Sequence, residues 1–296
     1  MAGYGDRAAA ALARLRQLRP LVHHITNEVV MNDTANLTLH LGALPVMAHA
    51  IEEVADMVEQ ADALLLNLGT LTTERLKAMR RAGRRANELG IPVVLDPVGA
   101  GATAFRTHSA LALLDELRIA VLRGNPGEIA ALAGREGLVR GVESVGSEDQ
   151  ALALAGEVAR RRGTVVAITG ARDVVSDGER TLGVDNGHPW LATVTGTGCM
   201  ATTAVAAFLS VEPDPAVAAA SALACFGLAA QLAAASVTDA AAGVERLGVA
   251  GTLGPASFKV ALLDSVYHLL PEKLAAGTRV LDLPVENPRI VIRGEP

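Results

Sequence analysis

The sequence predicts an α/β protein, a three-layer α/β/α sandwich with a mostly parallel central sheet. Short apolar runs such as Ala63-Leu64-Leu65-Leu66-Asn67-Leu68-Gly69 lack polar alternation, as strands covered on both faces do. Segments of helical periodicity separate these runs, and crossovers of that length imply parallel strands with helices on both sides. The stretch from Thr193 to Phe208 adds a functional signal. Two glycines and three threonines there precede an uncharged, alanine-rich helical segment. A Gly-rich turn feeding a helix aims free N–H groups and the positive end of the helix dipole at one point, which suits an anion.

The elements follow in order. Residues 1–19 read as a short N-terminal surface helix. Leu21 to Asn27 is a strand ending in polar residues. Val29 to Leu41 is a helix closed by Gly42. Ala43 to Met47 is a short strand whose Pro45 places it at an edge or a strand start. Ile51 to Gln60 is helical, with Glu52 and Glu53 in the first turn. The strand at 63–69 is followed by a basic amphipathic helix from Thr73 to Leu89. Ile91 to Gly99 is a buried strand ending in Asp96 and a Pro/Gly loop. Ser109 to Leu117 is a helix, Ile119 to Asn125 a strand, and Pro126 to Ala133 a helix with proline in its first turn. Ser147 to Arg162 is a helix and Thr164 to Gly170 a strand. Asp177-Gly178 marks a hairpin between 172–176 and 181–185. Helices then run to about Leu270, and 271–296 forms a Pro- and Gly-punctuated tail. The loop-like stretches Gly99 to Phe105 and Arg135 to Gly146 are too short to divide the chain, so one domain spans 1–296.

Composition narrows the function. The chain has 296 residues, is 50% hydrophobic and carries a net charge of -6. No basic run interleaved with aromatics exists, which argues against nucleic acid as a partner. Cys199 and Cys225 are too few for a disulfide scaffold and read as reduced cytoplasmic thiols. No Cys/His cluster has zinc spacing. The N-terminus lacks the apolar core of a secretory signal. Pro215 to Thr238 carries no charge and is long enough to span a bilayer. Its alanine, serine and glutamine content fits a buried core helix or a subunit interface instead.

Ligands of such sheets bind beyond the carboxyl ends of the strands. The polar residues at those ends are Asn27, Met47 with His49, Asn67, Asp96, Arg123 with Asn125 and Glu128, and Thr169. Gly196, Thr197, Gly198 and Cys199 join them on the same rim. Carboxylates, a cation and an anion-binding turn together suit phosphoryl transfer, which needs positioning and charge neutralisation. Asp96 and Glu128 are candidates to share a magnesium ion, which favours few carboxylates plus phosphate oxygens. Arg123 offers a fixed fork of donors for nucleotide phosphates. The competing structural roles are a helix cap for Asp96, a first-turn acid for Glu128 and a surface ion pair for Arg123.

These residues carry a resemblance. Val22-His23-His24-Ile25-Thr26-Asn27, Asn32-Asp33, Leu95 to Gly99, Arg123 to Glu128 and Thr195 to Cys199 resemble, in order, the motifs of the hydroxyethylthiazole kinase family, within the ribokinase-like superfamily. The resemblance covers roughly residues 20 to 270. It implies ATP-dependent phosphorylation of the alcohol of 4-methyl-5-(2-hydroxyethyl)thiazole, a salvage step toward thiamine. It further implies that Met47 and Gly196 bind the thiazole with Asn27 beside it, and that Arg123 and Thr169 bind ATP. Asp96 and Glu128 would lie near magnesium and the phosphates. The implied assembly is a homotrimer with active sites between subunits.

Many sugar kinases of the superfamily carry aspartate where this chain has Cys199. A helix N-terminus is expected to favour the thiolate. Loose transition states need little base catalysis, so Cys199 is expected to position the hydroxyl while the main-chain N–H groups of Gly196, Thr197 and Gly198 stabilise the phosphoryl group. A thiol nucleophile is the competing role, but no His-Asn or His-Asp pair is identifiable near Cys199. The other readings are a hydroxymethylpyrimidine kinase, which shares the Gly-Thr-Gly-Cys turn, a non-catalytic nucleotide or thiazole sensor, and a nicotinamide-hydrate repair lyase. Cys199 in place of aspartate speaks against the lyase.

Overall fold

The computed structural model describes residues 3–134, 148–246 and 253–284. The chain runs through α1 (Tyr4–Leu18), β1 (Leu21–Ile25), α2 (Met31–Leu41), β2 (Leu44–Val46), α3 (Val54–Glu59), β3 (Ala63–Asn67), α4 (Thr73–Leu89), β4 (Val93–Asp96) and α5 (Ala104–Glu116). It continues through β5 (Val121–Gly124), α6 (Pro126–Leu132), α7 (Glu148–Arg162), β6 (Val165–Ile168), β7 (Asp173–Ser176) and β8 (Thr181–Val184). The remaining elements of the described residues are α8 (Thr197–Leu209), α9 (Pro215–Arg246), α10 (Pro255–His268), α11 (Pro271–Gly277) and β9 (Val280–Leu283).

Among the described residues, nine strands form one sheet in the order β2-β1-β3-β4-β5-β6-β7-β8-β9. Pairing is parallel from β2 to β6 and antiparallel from β6 to β9. The apolar runs face both ways, as their lack of alternation requires. Leu65 joins a core shared with α1, α2, α8, α9 and α10, while Leu64 and Leu66 join a second core under α3 to α7. Burying each such side chain contributes about 1.5–3 kcal/mol, so the sheet is held by two layers of aliphatic contacts.

Most expected elements form, with shifted ends. The helices expected from Val29 and Ile51 begin at Met31 and Val54. The helix expected from Ser109 begins at Ala104, capped by the Thr103 hydroxyl, which shortens the loop after Gly99. The stretch leading into Gly196 is not a strand. Pro189–Thr193 forms a 3-10 turn, because Pro189 supplies the first-turn φ and the His188 side chain accepts the Trp190 N–H. The C-terminal tail is not irregular throughout: it contains α11, and β9 pairs with β8. Asn186 fixes that end by donating to the Gly277 carbonyl at 2.9 Å and accepting the Arg279 N–H at 2.7 Å. Arg135 to Gly146 lies outside the described residues, as do 285–296 of the tail.

The uncharged segment from Pro215 lies within α9. This is the one helix among the described residues long and apolar enough to cross a membrane, and 89% of its most apolar window is buried in the fold. It packs closely because Gly227 faces the main chain of Asn186. A Cβ at Gly227 would sit 2.5 Å from the Asn186 carbonyl oxygen. Gly227→Ala must therefore push α9 away from the end of β8, at a cost of about 1–3 kcal/mol. The expected result is a thermal midpoint about 3–10 °C lower by scanning calorimetry.

Candidate active site

The strand ends build the site through sheet register. Asn67 of β3 pairs directly with Asp96 of β4. This brings their side chains together, and Asn67 Nδ2 donates to Asp96 Oδ2 at 2.9 Å. The same nitrogen lies 3.3 Å from Cys199 Sγ. Asn67 Oδ1 accepts from Asn27 Nδ2 at 2.8 Å and from the Gly69 N–H at 2.9 Å. Asn27 Nδ2 also reaches Cys199 Sγ at 3.5 Å. The Thr202 hydroxyl, one turn along α8, donates to Asp96 Oδ2 at 2.7 Å. One buried network thus links Asn27, Asn67, Asp96, Cys199 and Thr202.

Asp96 is not a helix cap. It is 1% exposed, and its Oδ1 is buried without a hydrogen-bond partner. Burial raises its pKa to about 6. Glu128 adds to the rise, while Arg123 and the bonds from Thr202 and Asn67 oppose it. Arg123 is no surface ion-pair residue either. It is buried at 8% exposure, with Nη1 3.9 Å from Asp96 Oδ2 and Nη2 donating to the Thr169 hydroxyl. Its Nε has no partner.

The turn before α8 has the geometry of an anion cradle. Gly196 caps the helix at φ 87°, a left-handed conformation that favours glycine. The first intrahelical bond runs from the Met200 N–H to the Gly196 carbonyl. The N–H groups of Thr197, Gly198 and Cys199 therefore have no partner within the helix. The Thr197 hydroxyl turns away and donates to the Leu191 and Val194 carbonyls, so this residue offers the site only its main chain. A Cβ at Gly198 would lie 2.9 Å from Arg123 Nη1, so glycine is what admits the guanidinium to the helix terminus.

Beside this turn lies a cavity of about 490 Å³ whose lining includes Arg123, Thr169, Gly198, His188, Leu223 and Phe226. Its size and mixed lining suit a nucleotide. Asp173 also lines it. Burial raises the Asp173 pKa to about 7, against a bond from the Gly170 N–H and the charge of Arg123.

One expectation changes. The Cys199 thiolate is not favoured: burial first, then the charge of Asp96, raises its pKa to about 11, despite opposing contributions from Asn67, Asn27 and Arg123. The helix terminus gives too little to offset desolvation. Glu128 does have its structural role. Its Oε2 accepts the Asn125 N–H at 2.8 Å and its Oε1 the Gly99 N–H at 2.9 Å, while Asn125 Oδ1 accepts the Glu128 N–H. This capping box ties the loop after β4 to α6. Met47 makes no direct hydrogen bond to the Cys199 network among the described residues. Its carbonyl joins the end of β1 through His49, which also meets the Thr26 N–H.

Sequence reasoning missed Thr202, Asp173 and the cavity wall from His188 to Phe226. Thr202 sits in an apolar-looking helix, and only its i+3 spacing from Cys199 hints that it faces the same rim.

A model of the hydroxyethylthiazole kinase family matches residues 12–272. A hydroxyethylthiazole kinase of Chloroflexus aggregans is 58% identical over 288 residues, covering 97% of this chain and 98% of its own. The solved structure of the hydroxyethylthiazole kinase protein of Pyrococcus horikoshii superposes with a TM-score of 0.80 at 45% identity, over 94% of this chain and 99% of that one. A ribokinase-like superfamily protein of Enterococcus faecalis matches over 83% of this chain and 86% of its own, with a TM-score of 0.54 at 15% identity, a likeness of fold. With a family match over most of its length and relatives near three-fifths identity, this chain belongs to the hydroxyethylthiazole kinase family.

Proposed function

We propose that this chain transfers the γ-phosphoryl group of ATP to the hydroxyl of 4-methyl-5-(2-hydroxyethyl)thiazole, a salvage step toward thiamine. The supporting observation is the junction of two halves. The cavity bearing Arg123 and the α8 terminus meets the Asn27–Asn67–Cys199 network at one turn. Arg123 and Thr169 hold the nucleotide phosphates, with the free N–H groups of Thr197, Gly198 and Cys199 facing the transferring group. Asn27, Met47 and Gly196 hold the thiazole. The neutral Cys199 thiol, fixed by two amide donors, orients the hydroxyl. Its proton leaves late in a loose transition state, so no strong base is needed.

The residues fit a magnesium ion. Asp96 Oδ1 is a buried carboxylate oxygen without a partner, and Glu128 is the second acid near it. No group of three or more His, Cys, Asp or Glu converges among the described residues, so phosphate and water would have to complete the shell. Asp96, backed by Glu128, would hold the ion, which neutralises phosphate charge when bound.

We also propose that the chain acts as one domain, since the nine strands of the described residues form a single sheet. Both cysteines are free thiols, which supports a cytoplasmic location. The proposed assembly is a homotrimer. Leu39 on α2 and Val260 and Tyr267 on α10 expose 47%, 62% and 60% of their surface, leaving apolar area for a neighbour. Sedimentation equilibrium should return three times the 30.4 kDa chain mass; a single-chain mass would remove the trimer.

Incubation with ATP, magnesium and the thiazole should yield the thiazole phosphate by mass spectrometry. Product from the pyrimidine alcohol alone would redirect the assignment. Asp96→Asn should lower kcat at least about 100-fold, the scale of losing a group aimed at transition-state charge. Protonation has the same sign of effect. Because the Asp96 pKa is raised, kcat/KM should fall as pH drops through about 6, above the ordinary carboxylate range.

Cys199→Ser should lower kcat only about threefold to tenfold, since it keeps a small hydroxyl donor in place. Complete loss of turnover in the folded variant would restore an obligatory thiol. With a pKa near 11, the thiol is ionised in about one molecule per several thousand at pH 7.5. In a Cys225→Ala background, iodoacetamide should label Cys199 about a few hundred times more slowly than free cysteine.

A further inference from the structure

The loop carrying Met47 has lost its sheet support. β2 ends at Val46, where its register with β1 stops at His23. Two imidazoles hold the carbonyls that follow. His23 Nε2 lies 2.7 Å from the Ala48 carbonyl oxygen, and His49 Nδ1 lies 3.0 Å from that of Met47. The other His49 nitrogen, Nε2, accepts the Thr26 N–H at 3.2 Å. A main-chain N–H only donates, so Nε2 carries no proton and Nδ1–H donates to Met47. The ring is therefore a neutral bridge of fixed tautomer between β1 and the Met47 loop. Thr26 immediately precedes Asn27, which reaches Cys199. The bridge sets the spacing between the Met47 main chain and the Asn27–Cys199 network.

We propose that His49 is a positioning residue for the alcohol substrate, holding Met47 at a fixed distance from Asn27 and so setting thiazole affinity without touching the nucleotide side. This rests on the proposed placement of the thiazole at Met47 and Asn27. Arg123, Thr169 and the α8 terminus make no hydrogen bond to His49 among the described residues. Loss of the bridge therefore acts on one substrate.

The test is steady-state kinetics of the full chain with both substrates varied. His49→Phe removes both hydrogen bonds and keeps a planar ring. It should raise the thiazole KM about tenfold, with kcat and the ATP KM within about twofold of the parent. His49→Asn keeps a donor at the δ position for Met47 and gives up Thr26. It should recover much of the loss, leaving the thiazole KM about threefold raised. An unchanged thiazole KM in folded His49→Phe overturns the proposal, as does an equal rise in both KM values. If His49→Phe does not fold, His49→Asn decides: the thiazole-only rise supports the bridge, and an unchanged value overturns it. Calorimetric titration of the parent with thiazole separates the underlying reading. Failure to bind there removes the thiazole assignment and the proposal with it, whereas binding with unaltered variants removes the bridge alone.

Discussion

A guanidinium packed against the positive end of a helix is electrostatically costly unless negative charge lies close by. Arg123 is in that position at the start of α8, nearly buried, with Gly198 making room for it. Asp96, at 3.9 Å, offsets part of the charge. The remainder, together with three main-chain N–H groups unpaired within α8, calls for a multiply charged anion. Much else in the fold serves this pairing. The parallel register delivers Asp96, Arg123 and Thr169 from adjacent strands. The 3-10 turn at 189–193 sets the approach to Gly196, and the Thr197 hydroxyl pins that turn to the helix.

Asn67 links this charged half to the other. Its amide faces Asp96 and Cys199 with donors and Asn27 with an acceptor, so its hydrogen-bonding groups are used and its orientation is fixed. A buried amide satisfied on both ends stiffens its neighbours at little net cost. It holds Asp96 so that Oδ2 is occupied and Oδ1 is left open. The carboxylate therefore presents one lone-pair face to an incoming ligand.

The fold was largely legible because its signals are local. Apolar runs, helical spacing and the Asp177-Gly178 turn each report on a few residues. β9 was not legible, because Val280 to Leu283 lacks a buried-strand pattern and becomes a strand only by pairing with β8. The rim residues were found by the strand-end rule, and Asn27, Asp96, Arg123 and Cys199 do come together. Their roles were harder to read. Glu128 looked like a ligand and is first a capping residue, since its carboxylate serves two backbone amides. Thr202 and the aromatic and aliphatic cavity wall were missed because tertiary contact alone selects them. The direction of the Cys199 shift was misjudged for the same reason: a helix terminus is visible in sequence, whereas burial beside a carboxylate is not.

That misjudged shift bears on how the site works. Desolvation and Asp96 keep the thiol protonated, while two amide N–H groups direct their protons at its sulfur. A group so placed cannot remove a proton near neutral pH. Aspartate at position 199 would add a second carboxylate beside Asp96, already raised by burial and by Glu128. Like charges at that spacing oppose each other's ionisation. A neutral thiol avoids this conflict and leaves Asp96 as the carboxylate proposed to serve the phosphates. On the proposed reading the site divides its labour: anion handling on Arg123, the helix terminus and Asp96, and alignment of the hydroxyl on uncharged Asn27, Asn67 and Cys199.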